Sequence, residues 1–295
     1  MRIQMHGAQN ASASPSARVV VMVLLVRGAA LLTVLLPACG FSSPGSSGGG
    51  GGGDDGPAPD ASVDAAEPDS GGDAPVNLKL YAASNQMLYR LDVDLKTSTL
   101  IGPIGPAGDP IDIDGLALYG HTLIGITDGG GNLISIDKDT GLTTSTITLS
   151  PQGPWGGMTV IPAGELEAMP VVLAGLATDG QLYRIDPATG FVGAIGSFGG
   201  AYRFFSDLAW VKGAGLYGTL TGGNCQDVCF AKIDPATGAA TVFRSNLGTN
   251  LFGLSGYRGT LWAFNSAGPI LSVNQTSGLM AIEFDPQIPW TEAAQ

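Results

Sequence analysis

Residues 182–190 read Leu-Tyr-Arg-Ile-Asp-Pro-Ala-Thr-Gly, and this short phrase decides how the chain folds. It recurs with few changes at residues 230–238, as Phe-Ala-Lys-Ile-Asp-Pro-Ala-Thr-Gly. Its alternating residues predict a strand, and the Asp, Thr and Gly that follow predict a tight turn into a further strand. Weaker copies lie at residues 88–92, 134–141 and 271–278.

The spacing of the copies predicts a β-propeller. Successive copies lie roughly 40–50 residues apart, which is the length of a four-stranded propeller blade. Four repeats are complete, and each reads as four short strands separated by turn residues. Their predicted strands are 113–119, 122–127, 132–137 and 142–149; 155–161, 171–178, 181–186 and 191–196; 205–211, 215–220, 228–234 and 239–244; and 251–256, 260–265, 270–274 and 279–284.

The first copy lacks its innermost strand. It begins at residues 78–81, which match the second strand of the other copies. A candidate for the missing strand is the C-terminal stretch 289–294, whose Pro-Trp start echoes residues 154–159. A strand from the end of the chain would close the ring and leave no open sheet edge. We therefore predict an all-β fold of five blades; the alternatives are six blades with one degenerate copy, or an open two-sheet sandwich.

The Ile-Asp-Pro-Ala-Thr-Gly phrase, with inner strands of the Gly-Leu-Ala type, resembles the bacterial secreted β-propellers of the PQQ-like and YVTN-like superfamily. The resemblance extends from about residue 78 to the end of the sequence. It implies a repeat scaffold and no particular activity, because function resides in sites that vary between proteins of one fold.

The N-terminal region resembles a bacterial lipoprotein signal. Arg27 precedes the apolar residues 29–36, and Leu-Pro-Ala-Cys follows at 36–39. The resemblance implies that Cys39 is lipidated and anchors the protein to a membrane. Because the next residue is Gly40 rather than Asp, it also implies sorting to the outer membrane of the bacterial envelope, on either its periplasmic or its surface face.

Two further expectations concern this region. The alternative to a signal is an uncleaved transmembrane helix over residues 19–36, in which a central Arg27 would cost about 2.5–3.5 kcal/mol. Since Arg27 interrupts the apolar run, we expect translation to start near Met22, with residues 1–21 an artefact of the assigned start. The signal then ends at residue 38.

Residues 39–76 form the second segment, and the propeller domain is assigned to residues 77–295. The second segment is rich in Gly, Ser, Asp, Ala and Pro, and residues 48–53 are all Gly. Such a composition cannot bury enough apolar surface to offset chain entropy, so we predict a disordered linker that holds the domain away from the lipid. The alternative is an acidic tail that binds ions.

Composition limits the possible partners. The chain has 295 residues, 46 of them Gly, and a formal net charge of −12. That charge argues against nucleic acid or anionic lipid as a general partner. A dinucleotide-type pattern at residues 213–218 lies between two predicted strands, so we discard it. His121 is the only histidine after the signal, which argues against Ser-His hydrolysis and against a multi-histidine metal site.

Cys225 and Cys229 are the cysteines that remain once Cys39 is lipidated. An isolated pair outside the cytoplasm normally oxidises, so we predict a disulfide. A metal site would need further ligands, and none lies nearby in the sequence.

The mouth of the central channel is the expected ligand site, since the inner strands begin there. Aromatic rings stack on flat apolar faces and carboxylates accept hydroxyl or amine hydrogen bonds, so this chemistry is typical of a sugar or peptide platform. The candidate ligand-binding residues are Asp112, Asp114, Trp155, Phe205, Asp207, Trp290 and Glu292. In a third interpretation the rings pack between blades, and the acids cap turns or pair with Arg203.

A catalytic alternative uses the same mouth. Five-bladed glycosidases use a comparable trio of acids, and Asp114, Asp207 and Glu292 fall near equivalent positions of different blades. Residues 109–115 also suggest calcium through their clustered oxygen ligands, but they depart from the EF-hand spacing and lack its closing Glu. We predict no cofactor, with calcium as the alternative.

These observations together predict an outer-membrane-anchored lipoprotein whose propeller is a non-catalytic binding or scaffold module. The expected partners are the membrane, through Cys39, and an envelope protein or glycan. The alternative is a glycan hydrolase.

Overall fold

A computed structural model describes residues 79–294. These residues form five four-stranded antiparallel sheets arranged as a five-bladed propeller. The predicted fold class and blade number are therefore confirmed. The predicted signal, Cys39 and the whole predicted linker over residues 39–76 lie outside the described residues. Within residues 79–294, no helix is long and apolar enough to cross a membrane.

Each blade has an inner strand, two middle strands and an outer strand. Blade 1 contains β1 Leu80–Ser84, β2 Met87–Asp92 and β3 Thr97–Pro103, and blade 2 contains β4 Ile113–Tyr119, β5 Thr122–Thr127, β6 Asn132–Ile136 and β7 Thr143–Thr148. Blade 3 contains β8 Trp155–Ile161, β9 Val171–Leu176, β10 Gln181–Ile185 and β11 Val192–Ser197, and blade 4 contains β12 Tyr202–Val211, β13 Gly215–Gly222, β14 Val228–Ile233 and β15 Ala240–Arg244. Blade 5 contains β16 Leu251–Tyr257, β17 Thr260–Asn265, β18 Ile270–Val273 and β19 Met280–Phe284, and β20 is Glu292–Ala294.

The C-terminal strand closes the ring, as the sequence predicted. β20 pairs antiparallel with β1, and the sheet order is β20-β1-β2-β3. Hydrogen bonds outside the ladder hold the incoming chain, including Thr291 N–H to the Ala83 carbonyl at 3.0 Å and Ser84 Oγ–H to the Pro289 carbonyl at 2.6 Å. Trp290 is fully buried, and its indole N–H donates to the Gly268 carbonyl at 2.9 Å. The closure is therefore secured by side chains as well as by a short ladder.

Burial follows the position of a strand within its blade. All five residues of β1 are buried, whereas β7 at the outer edge is largely exposed. The apolar middle strands form the sheet faces that pack between neighbouring blades, and the outer strand consists mostly of Thr and Ser in blade 2. This is the expected distribution for sheets stacked around an axis.

The recurring phrase builds both the turn and the packing between blades. In blade 3, Asp186 Oδ1 accepts the Ala188 N–H at 2.9 Å, and Asp186 Oδ2 accepts the Thr189 hydroxyl at 2.7 Å. Gly190 follows at φ +75°, a conformation that L side chains rarely adopt. A Cβ there would lie 2.2 Å from the carbonyl oxygen of Thr148 in blade 2. The glycine is thus needed both for the turn and for the approach of the preceding blade.

A disulfide joins Cys225 to Cys229 in the loop between β13 and β14, as predicted.

Candidate functional site

Asp207 lies in a bulge of the inner strand of blade 4. Phe204 pairs with Leu220 and Leu208 pairs with Gly218, so three residues of β12 lie opposite the single residue Thr219. The Thr219 hydroxyl oxygen fills the gap and accepts the backbone N–H groups of Ser206 and Asp207, each at 3.2 Å. This bulge turns the Asp207 side chain towards the strands on either side.

The Asp207 carboxylate connects three inner strands. Its Oδ1 accepts the N–H of Leu208 at 2.8 Å, and its Oδ2 accepts the N–H of Leu254 in blade 5 at 2.7 Å. The N–H of Met158 in blade 3 also hydrogen-bonds to it. Asp207 has no exposed surface, and burial raises the pKa of its carboxyl well above the usual range although the three N–H donors act in the opposite direction. The group therefore holds β8, β12 and β16 in register.

Glu292 occupies the same place in the closing strand as Asp207 does in blade 4. Each directly precedes the inner-strand residue that pairs with a small residue of the next strand: Leu208 with Gly218, and Ala293 with Ala82. Glu292 is 6 % exposed, and its buried Oε2 has no hydrogen-bond partner within the described part of the chain. Burial, together with the negative charges of Asp207 and Asp114, raises the pKa of Glu292 well above its usual range.

Asp114 is the most accessible of the three acids. It is half-buried at the start of β4, and one backbone donor, Gly129 N–H, bonds to it. Burial, then the charges of Asp128 and Asp112, raises the pKa of Asp114 to about 6. Asp112 is exposed and accepts the side-chain N–H of Gln86 at 3.0 Å. The charges of Asp207 and Asp114 both act on the Glu292 carboxyl.

Trp155 and Trp290 lie inside the domain rather than at the mouth. They are 2 % and 0 % exposed, and each ring packs edge-on against neighbouring aromatic rings, Trp155 against Tyr183 and Trp290 against Tyr89 and Phe264. Neither indole presents a face to solvent. Trp155 starts β8 and Trp290 lies two residues before β20, and both side chains pack in hydrophobic clusters between neighbouring blades.

Phe205 and Phe252 lie next to each other near the starts of the inner strands of blades 4 and 5. Phe252, the second residue of β16, lies next to the Phe205 ring with 6.0 Å between ring centroids, and it is 38 % exposed. Phe252 precedes Gly253 as Asp114 precedes Gly115, and the next residues, Leu254 and Leu116, occupy equivalent positions in the ladders. Phe252 and Asp114 therefore lie at the same level of the channel.

The axial cavity below the acids is small. It has a volume of about 40 Å³ and is lined by residues of all five inner strands, among them Leu116, Thr159, Leu208, Ser255 and Ala293. Among residues 79–294, no three His, Cys, Asp or Glu side chains come together so as to hold a metal ion. The side chains of Asp109, Asp112 and Asp114, in the segment suggested for calcium, do not form such a group.

Comparisons with known proteins identify no family. No family model matches the sequence, and no curated protein matches it. The structure is similar to that of a nidogen/laminin complex chain, with 12 % identity, 73 % of this chain and 97 % of the other covered, and a TM-score of 0.48. It is similar to virginiamycin B lyase from Staphylococcus aureus, with 15 % identity, 70 % and 66 % covered, and a TM-score of 0.40. It is also similar to Myxococcus xanthus glutaminyl cyclase, with 18 % identity, 61 % and 77 % covered, and a TM-score of 0.43.

Proposed function

We propose that this protein is a lipoprotein of the bacterial outer membrane whose propeller is a non-catalytic binding or scaffold module. The observation that carries the non-catalytic part is the use of the Asp207 carboxylate as a tie between three blades. Both of its oxygens accept backbone N–H groups, and the residue is fully buried. A catalytic acid or base must instead reach the atom whose proton it transfers.

The size of the axial cavity supports the same proposal. Its volume of about 40 Å³ has room for a few water molecules, since one water needs roughly 10–15 Å³ on this measure. Sites for small organic ligands occupy about 300–1,000 Å³. A small organic ligand does not fit in this cavity, so we place the ligand near the starts of the inner strands, where Asp114, Phe205 and Phe252 lie.

One observation favours the rival function, hydrolysis of a glycan. Asp114 is half-buried with a pKa of about 6, which is a suitable value for a general acid. The test is hydrolysis of a panel of fluorogenic glycosides by the wild type, Asp114→Asn and Glu292→Gln. We expect no turnover that depends on these acids. Turnover in the wild type that is lost in Asp114→Asn, with an unchanged circular dichroism spectrum, would establish the hydrolase.

The anchor is tested separately. The proposal rests here on the apolar residues 29–36 followed by Cys39. In a Gram-negative host the full-length chain should fractionate with the outer membrane and label with a radioactive fatty acid. Cys39→Ser should lose the label and collect in the soluble fraction or as unprocessed precursor, whereas Cys225→Ser should remain lipidated. Fatty-acid labelling that persists in Cys39→Ser would refute the anchor.

A further inference from the structure

The acids at the mouth of the channel have no cationic partner within residues 79–294. None of the ion pairs between described residues includes Asp112, Asp114, Asp207 or Glu292. The charges that act on the Glu292 carboxyl are those of Asp207 and Asp114, and those that act on Asp114 are Asp128 and Asp112. Acidic side chains from blades 2 and 4 and from the closing strand thus lie at one end of the axis, and no cationic side chain of the described region pairs with them.

Glu292 provides an independent sign that something is missing from this end of the channel. Its Oε2 is buried and has no hydrogen-bond partner among the described residues, and the residue as a whole is only 6 % exposed to solvent. A buried carboxyl oxygen without a partner is unfavourable, so such groups normally acquire a proton, a donor or a cation. A cation bound at the mouth would stabilise the ionised form of all three acids by Coulomb attraction.

The aromatic side of the mouth narrows the kind of cation. Phe205 and Phe252 lie on adjacent inner strands, and the partly exposed Phe252 ring is level with Asp114. Aromatic faces attract an ammonium group and pack against its apolar body. A metal ion is less suited, because no three carboxylates in the described region are placed to coordinate one. An ammonium group needs only one or two acceptors and a ring.

From this geometry we infer that the channel mouth binds a primary organic ammonium group carrying an apolar substituent. Asp114 accepts its N–H donors, and the rings of Phe205 and Phe252 contact its apolar part. The buried Glu292, whose Oε2 has no partner in the described region, lies close enough to interact electrostatically with Asp114. This inference rests on the proposed binding function and specifies the chemistry of its ligand. Because a bound cation offsets charges that the fold buries, binding also stabilises the domain.

The experiment uses phenylethylammonium as the probe and phenylethanol as its neutral analogue. Isothermal titration and the shift of the thermal midpoint are measured on residues 77–295, prepared alongside the full-length chain in detergent so that the result does not depend on the shorter chain folding alone. We expect the ammonium to bind and raise the midpoint, and phenylethanol to bind at least about tenfold more weakly, as expected when a charge-assisted hydrogen bond is lost.

Variants separate the parts of the site. Asp114→Asn should weaken the ammonium about tenfold, and Phe252→Ala should weaken it roughly three- to fivefold, in line with a partly exposed cation–π contact. Asp139→Asn, which removes an exposed acid of the same blade that pairs with Lys138, is the matched control and should change nothing. Circular dichroism checks that each variant is folded. If Asp114→Asn does not fold, Phe252→Ala still tests the site.

Three outcomes would overturn the inference. The first is that phenylethanol binds as tightly as phenylethylammonium. The second is that neither Asp114→Asn nor Phe252→Ala changes the affinity for the ammonium. The third is that calcium chloride saturates the site under conditions in which the ammonium does not bind. These outcomes leave the anchored-scaffold function standing, since that function is tested by the absence of acid-dependent turnover and by lipidation. If the ammonium binds and a glycoside is also turned over in an Asp114-dependent way, the inferred ammonium site is supported and the non-catalytic function is refuted.

Discussion

Asp207 Oδ2 in blade 4 accepts the backbone N–H of Leu254 in blade 5 across 2.7 Å, in a region with no solvent. The same carboxylate serves Leu208 and Met158, so removing it leaves up to three donors without a partner. Because each buried unsatisfied donor costs about 1–3 kcal/mol, Asp207→Ala should lower the free energy of unfolding by about 3 kcal/mol or more.

The control for this prediction is Asp207→Asn, which keeps one acceptor oxygen and nearly the same volume. We expect it to cost less than Asp207→Ala, and urea denaturation of both variants measures the difference. If the two variants unfold at the same urea concentration as the wild type, Asp207 does not tie the blades together.

Glu292 makes the stability of the domain depend on pH. Its folded pKa is raised, so the folded state binds this proton more tightly than the unfolded chain, where a Glu titrates near about 4.3. The stabilisation is complete below the unfolded pKa and is lost as pH rises through the folded pKa. Asp114, with a pKa of about 6, acts in the same direction.

We therefore expect the thermal midpoint to fall between pH 5 and pH 8 in the wild type and to fall less in Glu292→Gln, which should also be the more stable protein at pH 8. Differential scanning calorimetry across this range measures both effects. Glu283→Gln removes a partly exposed acid elsewhere in blade 5 and should keep the wild-type slope. An unchanged slope in Glu292→Gln would show that its carboxyl does not control the dependence.

The strands could be predicted from the sequence because the same pattern of strands and turns recurs in every repeat. The strand over 113–119 was predicted to the residue, as was the turn led by Asp186, since alternation and Asp-to-Gly turn chemistry are local signals. The bulge at Asp207 was not predictable. Three residues opposite Thr219 leave no mark on the hydrophobic pattern, and only the tertiary structure shows that the carboxylate is used by its neighbours.

The aromatic residues of the site show the same limit. Trp155 begins β8 and is 2 % exposed, whereas Phe252, the second residue of β16, lies one position further along its strand and is 38 % exposed. Whether such a ring points between blades or towards the mouth depends on the local register, which shifts near the start of both β8 and β16. A one-residue shift reverses the face of every side chain in a strand. The sequence therefore indicated the region of the mouth but not which rings line it.

Gly190 allows the contribution of blade packing to be separated from that of the turn. At φ +75° an alanine costs about 1–2 kcal/mol in conformation alone. Its Cβ would also lie 2.2 Å from the Thr148 carbonyl oxygen of blade 2. Gly213 has φ +76° but open space around the position of a Cβ, so Gly213→Ala carries only the conformational cost. In chemical denaturation, Gly190→Ala should have a clearly lower free energy of unfolding than Gly213→Ala. Equal free energies of unfolding would mean that the blades do not need this close contact.

Closure of the ring is the property on which the rest of the structure depends. A chain that ends at Asp285 lacks β20 and the fully buried Trp290, and it leaves the inner edge of β1 unpaired. Losing a buried Trp side chain alone costs about 3–5 kcal/mol, which is a large part of the stability of a typical domain.

We expect this truncated chain to lose its cooperative thermal transition and to become sensitive to protease across all five blades. A chain that lacks only Gln295 is the control and should melt as the wild type does. A synthetic peptide of residues 286–295, added in excess, should restore part of the transition in the truncated chain. The truncated chain still contains β1, with which the β20 segment of the peptide can pair. If the truncated chain melts at the wild-type temperature without the peptide, the C-terminal strand does not close the ring.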